Sequence, residues 1–193
     1  MFDFSLTSTG KSFTIWAAPN RGEGVRHETE PLLQLHGPSS GEAALGDQEE
    51  DPRCLELKDK LATSVETAYE AGYRHFLCGM ARGADFYFCE AVLDLRERMP
   101  DITLEAVIPC EEQAAHWSER DRDRYYALVE ACDGETMVQR HYDKGCMLRR
   151  NRYMVDRASL LIAVYDGMLG GTMYTLTYAM RQGIDVEILD IAE

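Results

Sequence analysis

The sequence predicts an α/β domain built on a doubly wound, mainly parallel sheet flanked by helices. Two observations carry that expectation. From residue 51 onward, short apolar runs alternate with helical patterns of 11 or more residues, the pattern of strand, crossover helix and parallel strand. The helical patterns also open or close on Asp, Pro and Gly where caps are needed.

The elements follow in order. The first 50 residues are heterogeneous, with one strand-like run, SFTIWAA at 12–18, and then a stretch rich in Gly, Pro, Ser and Glu. At residue 51 the texture changes. Asp51 as N-cap, Pro52 at the first helical position and apolar Leu55, Leu61, Val65, Ala68 and Tyr69 predict an amphipathic helix, closed by Gly72. YRHFLC at 73–78 predicts a strand, residues 84–99 a helix that stops before Pro100, and TLEAVIP at 103–109 a strand. Residues 119–131 form a charged amphipathic helix, followed by a short strand around 136–138. A helix over about 146–157 leads into the strand SLLIAVY at 159–165. Residues 172–182 make the last helix, capped by Gly183, and DVEILDI at 185–191 the last strand.

Composition narrows the function classes. With 193 residues and 45% apolar content, one domain is expected. No apolar run approaches the roughly 18 residues of a membrane span, and the N-terminus lacks a basic start, so a cytoplasmic protein without a membrane partner is expected. Six cysteines without a CxxC pair, and scattered histidines (His27, His36, His75, His116), give no metal-ligand pattern and no sign of a cofactor. A net charge of −14 disfavours a general nucleic-acid binder. Residues 140–157 run against that trend: Arg140, Lys144, Arg149, Arg150, Arg152 and Arg157 face only Asp143 and Asp156, a local balance of +4. Such a patch is either a functional surface or a solvated helix face paired to acidic neighbours.

In doubly wound sheets ligands bind at the carboxyl ends of the strands. Three loops qualify: 79–85, 109–117 and 166–172. In CGMARGAD, Gly79 ends a strand, Met80 and Arg82 lie in the turn, Gly83 opens a helix and Asp85 occupies its first turn. Gly83 and Asp85 either approach a phosphate or merely shape and cap the turn. In YDGMLGGT, Gly170, Gly171 and Thr172 precede a helix as a phosphate cradle would, and Asp166 at the strand end could reach a ribose hydroxyl. In KGCMLRRNRYMVDR, Arg149, Arg152 and Asp156 share one helix face while Met147, Met154 and Ala158 share another. Arginine suits bidentate contact with phosphate, although Arg152 and Asp156 can also pair with each other. His116 and Trp117 form either an aromatic wall or ordinary packing.

The run from GYRHFLCGMARGAD through EEQAAHW, with GCMLRRNRYMVDR and LGGTMYT, resembles the YpsA-like family of unknown function in the SLOG (Smf/DprA and LOG) superfamily, which is similar in fold to Rossmann proteins. The resemblance covers about 51–191 and implies a Rossmann-like domain over 47–193. It implies a nucleotide or nucleotide-derived ligand, ADP-ribose-like, at Gly79, Gly83 and Asp85 in one loop and Gly170, Gly171 and Thr172 in the other. Met80, Arg82, Arg149, Arg150, Asn151 and Asp166 complete the expected binding set, and a sensing or regulatory role follows. The alternative is an enzyme cleaving an N-glycosidic or phosphoester bond. LOG enzymes carry a catalytic glutamate three places after the loop threonine; Thr175 stands there in this chain, which leaves Glu90 as the nearest carboxylate substitute. A DprA-like single-stranded DNA binder is disfavoured by the charge. Association into a homo-oligomer is left open.

One segment departs from the family. Its first ligand loop, typically FTGHRPEKLPWG, is absent, and LHGPSSGEAALG stands at 35–46. With one choice of synonymous codons, the family text read one nucleotide early translates as this segment at all twelve positions. Residues 1–46 are therefore read as atypical and partly disordered, either out of frame up to about Asp47 or a diverged loop.

Overall fold

The computed structural model describes residues 49–165, 167 and 170–190, together with the backbone of 14–17. Five helices lie within those residues: α1 Pro52–Glu70, α2 Ala84–Arg98, α3 Glu119–Ala131, α4 Cys146–Val155 and α5 Gly171–Gln182. They surround a sheet of β1 Thr14–Ala17, β2 His75–Cys78, β3 Thr103–Ile108, β4 Gly134–Met137, β5 Leu160–Tyr165 and β6 Asp185–Asp190. The order across the sheet is β4-β3-β2-β1-β5-β6. This is the doubly wound, mainly parallel Rossmann-like α/β architecture that the alternating pattern predicts.

Local chemistry explains the helix ends. The Asp51 carboxylate accepts from the Arg53 backbone N–H at 2.9 Å, and Pro52 follows at the position that needs no donor. Ser118 caps α3 in the same way, accepting from Asp121 N–H at 3.1 Å. Gly183 closes α5 at φ +72°, a left-handed conformation that suits glycine. In α1, Cys54, Leu57, Leu61, Val65 and Ala68 are buried at spacings of three and four. Leu55, expected on that face, is 46% exposed, because one residue from Cys54 rotates it by about 100° off the stripe.

The core lies on both faces of the sheet, and the strands supply it by alternation. Phe76 and Cys78 of β2, Leu104, Ala106 and Ile108 of β3, and Ile162 and Val164 of β5 pack with α1, α2 and α3. Leu77, Val107, Leu161 and Ala163 point the other way, against Met154 and Val155 of α4 and Leu176 and Ala179 of α5.

Two differences from expectation concern the sheet. The strand expected around 136–138 forms as Gly134–Met137, where its register with Glu105 to Ile108 of β3 places it. The central strand β1 is antiparallel to both neighbours, with Thr14 opposite Cys78 and Ile162. The β2–β3, β3–β4 and β5–β6 pairs are all parallel. The proposed out-of-frame stretch at 35–46, His27, His36 and Asp166 lie outside the described residues.

Candidate functional site

From β2 the chain winds outward through β3 and β4, and β5 leads outward through β6 on the other side. The loops leaving the carboxyl ends of β2 and β5 therefore meet the point where strand order reverses, the usual ligand crevice of such sheets. The first loop enters α2 through Gly83, and the second enters α5 through Gly170; among the described residues neither helix has a side-chain cap.

The first loop is held from several directions. Met80 has φ +55°, the positive-φ residue other than glycine among those described, and its side chain is fully buried. A side chain in that conformation costs roughly 1–2 kcal/mol, so other contacts must hold it. Gln113 Nε2 donates to the Met80 carbonyl at 2.6 Å and the Gly79 carbonyl at 3.3 Å. Asp85 Oδ2 accepts from Ala81 N–H at 2.9 Å, and Cys78 Sγ donates to the Asp85 carbonyl at 3.2 Å. Burial holds the Cys78 thiol above its ordinary pKa, so it remains a neutral donor. The Asp85 carboxylate thus spans the turn from inside the helix.

Against this loop lies the guanidinium of Arg150, 1% exposed, with Nη1 at 3.5 Å from Oδ2 of the fully buried Asp85. Among the described residues no hydrogen-bond acceptor reaches Arg150 Nε or Nη1. Gly79 makes the room: a Cβ there would stand 1.6 Å from Arg150 Nη1. Burying a guanidinium costs several kcal/mol unless it is compensated, and the Asp85 carboxylate is the negative group that faces it.

On the next position of α4, Asn151 Nδ2 donates to Thr175 Oγ1 at 3.0 Å, and Thr175 Oγ1 donates to the Gly171 carbonyl at 3.0 Å. All three of Asn151, Thr172 and Thr175 are buried, and Asn151 Oδ1 lacks a donor among the described residues. Gly79, Met80, Asp85 and Arg150 therefore converge, with Asn151 tied to the Gly170–Thr172 turn behind them.

Other expected residues go elsewhere. Arg82 pairs with Asp121 at 3.1 Å and lies over the Trp117 ring. Exposed Arg149 donates to Gln139 Oε1 at 2.6 Å and pairs with Asp143, whose carboxyl that contact holds below its ordinary pKa. Arg152 lies over the rings of Tyr174 and Tyr178, both at 5.3 Å, while Asp156 accepts from the Tyr178 hydroxyl at 2.7 Å. Burial, with that carboxylate, pushes the Tyr178 phenol up to about 12. Glu90 receives two hydrogen bonds from Arg124, both 2.8 Å. Trp117 packs edge-on to Phe86 and Tyr125, and His116 is exposed, an ordinary packing arrangement. His75 bonds Thr103 Oγ1 at 2.8 Å on the neighbouring strand. No group of three or more His, Cys, Asp or Glu side chains among the described residues could hold a metal ion. No helix among them is long and apolar enough to cross a membrane.

Sequence reasoning passed over Gln113, a polar side chain in a loop already marked as a strand end. The burial of Arg150 had a visible signal: it falls between Met147 and Met154 on the apolar stripe of α4.

A family model described as the YspA SLOG family matches residues 44–190, a span that holds both loops and all of α4. The chain belongs to the YpsA family of SLOG proteins. Among family relatives, the SPbeta prophage-derived protein YoqJ of Bacillus subtilis is 31% identical over 145 residues, covering 68% of this chain and 84% of YoqJ. A UPF0398 protein of Bacillus licheniformis is 26% identical over 135 residues, covering 68% of this chain and 74% of its own. The UPF0398 protein YpsA of Bacillus subtilis is 23% identical over 121 residues, covering 62% and 67%.

Proposed function

We propose that this chain binds a nucleotide or nucleotide derivative of the ADP-ribose kind and acts as a sensing or regulatory module. One observation carries the reading: among the described residues the buried Arg150 guanidinium has two nitrogens without an acceptor, at the strand-order reversal. That guanidinium suits a phosphate by its charge and by its planar, bidentate fork of donors. It lies against the 79–85 turn, with the uncapped N-termini of α2 and α5 adding favourable dipoles.

The side chains near the two loops favour binding over bond cleavage. Thr175 both donates and accepts a hydrogen bond, and it carries no carboxylate. Glu90 is engaged by Arg124. Neither is placed to move a proton on a ligand.

Thermal unfolding with ADP-ribose, AMP, ADP and NAD tests the proposal. A ligand at about 100 times its Kd stabilises by about 2.7 kcal/mol. The shift should disappear in Arg150→Met and Gly171→Val. Equal shifts in parent and variants would place the ligand elsewhere, and no shift with any of the four would reject the ligand class.

A further inference from the structure

The turn that follows β3 reaches across to the 79–85 loop through one side chain. Gln113 is 7% exposed, and its backbone N–H donates to the Cys110 carbonyl at 3.2 Å. Its Nε2 donates to the carbonyls of Met80 at 2.6 Å and Gly79 at 3.3 Å. Carbonyl oxygens only accept, so the amide nitrogen must face them, and both of its protons are used. A carboxylate or an apolar side chain of the same size could not do this.

Those carbonyls belong to the two peptide planes on either side of Met80, so holding both fixes φ and ψ of that residue. Met80 needs holding. Its φ of +55° is disfavoured roughly 5- to 30-fold for a side chain other than glycine's. In a trans peptide the N–H points opposite to the C=O, so the plane that turns the Met80 carbonyl to Gln113 turns the Ala81 N–H to Asp85 Oδ2, at 2.9 Å. Gln113 is itself anchored from the other side. The Glu111 N–H donates to the Arg140 carbonyl at 3.1 Å, and the Glu112 carboxylate accepts from the Tyr142 N–H at 2.9 Å. That segment runs on into α4, which carries Arg150.

We propose that Gln113 is the positioning residue of the ligand loop: its amide holds the two peptides around Met80 in the left-handed turn, and by keeping that turn formed it sets the affinity for a phosphate-bearing ligand. The second half rests on the nucleotide reading above; the hold on the turn does not, and it is measured without ligand.

Hydrogen exchange at the Ala81 amide, followed by NMR in the full chain, reads opening of the turn. Gln113→Met keeps the bulk of the side chain but donates nothing. Its Ala81 amide should exchange at least about tenfold faster than the parent's, as expected for loss of one net hydrogen bond. The Asp185 amide, bonded to the Ser159 carbonyl at the opposite end of β5 and β6, should change by less than about threefold. Gln113→Glu separates donation from packing. Protonated, its carboxyl donates to the Met80 carbonyl; ionised, it turns negative oxygens on two carbonyls. Burial favours the protonated form, so Ala81 protection should be near the parent's at about pH 5 and at least about tenfold weaker at about pH 8. The parent at each pH carries the same His141–Glu112 pair, whose titration therefore cancels. ADP-ribose affinity should fall about tenfold in Gln113→Met, as the formed turn becomes a minor state.

Unchanged Ala81 exchange in Gln113→Met, or protection in Gln113→Glu that ignores pH, would overturn the hold on the turn. A turn that opens while ADP-ribose affinity stays the same would overturn its part in binding. Failure of the parent to bind any of the four nucleotides sinks the nucleotide reading instead, and the exchange result then stands by itself. Where Gln113→Met does not fold, Gln113→Glu at the two pH values decides.

Discussion

Replacing Gly79 with alanine tests the packing on which the site depends. The added Cβ would stand 1.6 Å from Arg150 Nη1, 2.6 Å from Cζ and 2.9 Å from Asp85 Oδ2. To reach van der Waals contact the guanidinium must retreat by about 2 Å. It is the far end of a flexible side chain and can yield, but at 1% exposure it can do so only by leaving Asp85. Separating a buried ion pair leaves both charges uncompensated, at about 3–5 kcal/mol. The low end applies, because Asp85 keeps its hydrogen bond from Ala81 N–H. A loss of about 3 kcal/mol corresponds to a fall in Tm of roughly 6–12 °C for a chain of this size. Urea unfolding followed by circular dichroism measures it. The decisive comparison is the double variant: with Arg150→Met already present, Gly79→Ala should cost only about 1 kcal/mol, since of its close contacts only that with Asp85 Oδ2 remains. A small loss in the parent, or the same large loss in both backgrounds, would refute the close approach of Arg150 to Gly79.

Gly83→Ala should behave in the opposite way: among the described residues nothing lies within 4 Å of its Cβ, but φ is +85°. Its cost is conformational, about 1–3 kcal/mol, and should be unchanged by Arg150→Met; a dependence on Arg150 would contradict this. Burial raises the Glu49 carboxyl pKa, but hydrogen bonds from Lys58 and Arg124 outweigh it and hold the group below 4.5. A depressed carboxylate stabilises fully above its unfolded value and loses that contribution as pH falls through the folded one. Parent and Glu49→Gln should therefore differ by about 1 kcal/mol at neutral pH and converge on acidification below pH 4.5; a constant gap across that range would show that Glu49 ionisation is not responsible. For residues 35–46 the gene supplies the test of an out-of-frame first ligand loop: a second frame encoding FTGHRPEKLPWG-like text should overlap those codons, and its absence sinks the idea. A chain repaired to that text should bind its ligand more tightly than this one.

The elements with strong periodicity were legible, most with bounds within a residue or two, because apolar alternation and caps act locally. Asp51, Pro52 and Gly183 illustrate this, each specifying a helix end through its own backbone or side chain. The direction of β1 was not legible. SFTIWAA reads as a strand in either orientation, and the choice rests on pairing with β2 and β5, which come much later in the chain. Gln113 was also invisible, since its value lies in reaching two carbonyls that only the folded loop presents.

The basic stretch shows most clearly how far composition can be taken. Its balance of +4 suggested a charged surface for phosphate. In the fold that surface is largely occupied: Arg140 pairs with Glu111, Arg149 with Asp143, and Arg152 and Arg157 lie over tyrosine rings. Of the other two cations Lys144 is exposed, and Arg150 is buried, placed by Met154 one turn further on and admitted by a missing side chain at Gly79. Counting charges could not separate Arg149 from Arg150, because adjacent residues of one type contribute equally to a sum. Their phase on the helix separates them: Arg150 falls on the apolar stripe and Arg149 does not. An ionic side chain at an apolar phase is expensive unless a partner meets it. That phase gives Arg150 a stronger claim on a ligand than the charge of the surrounding patch.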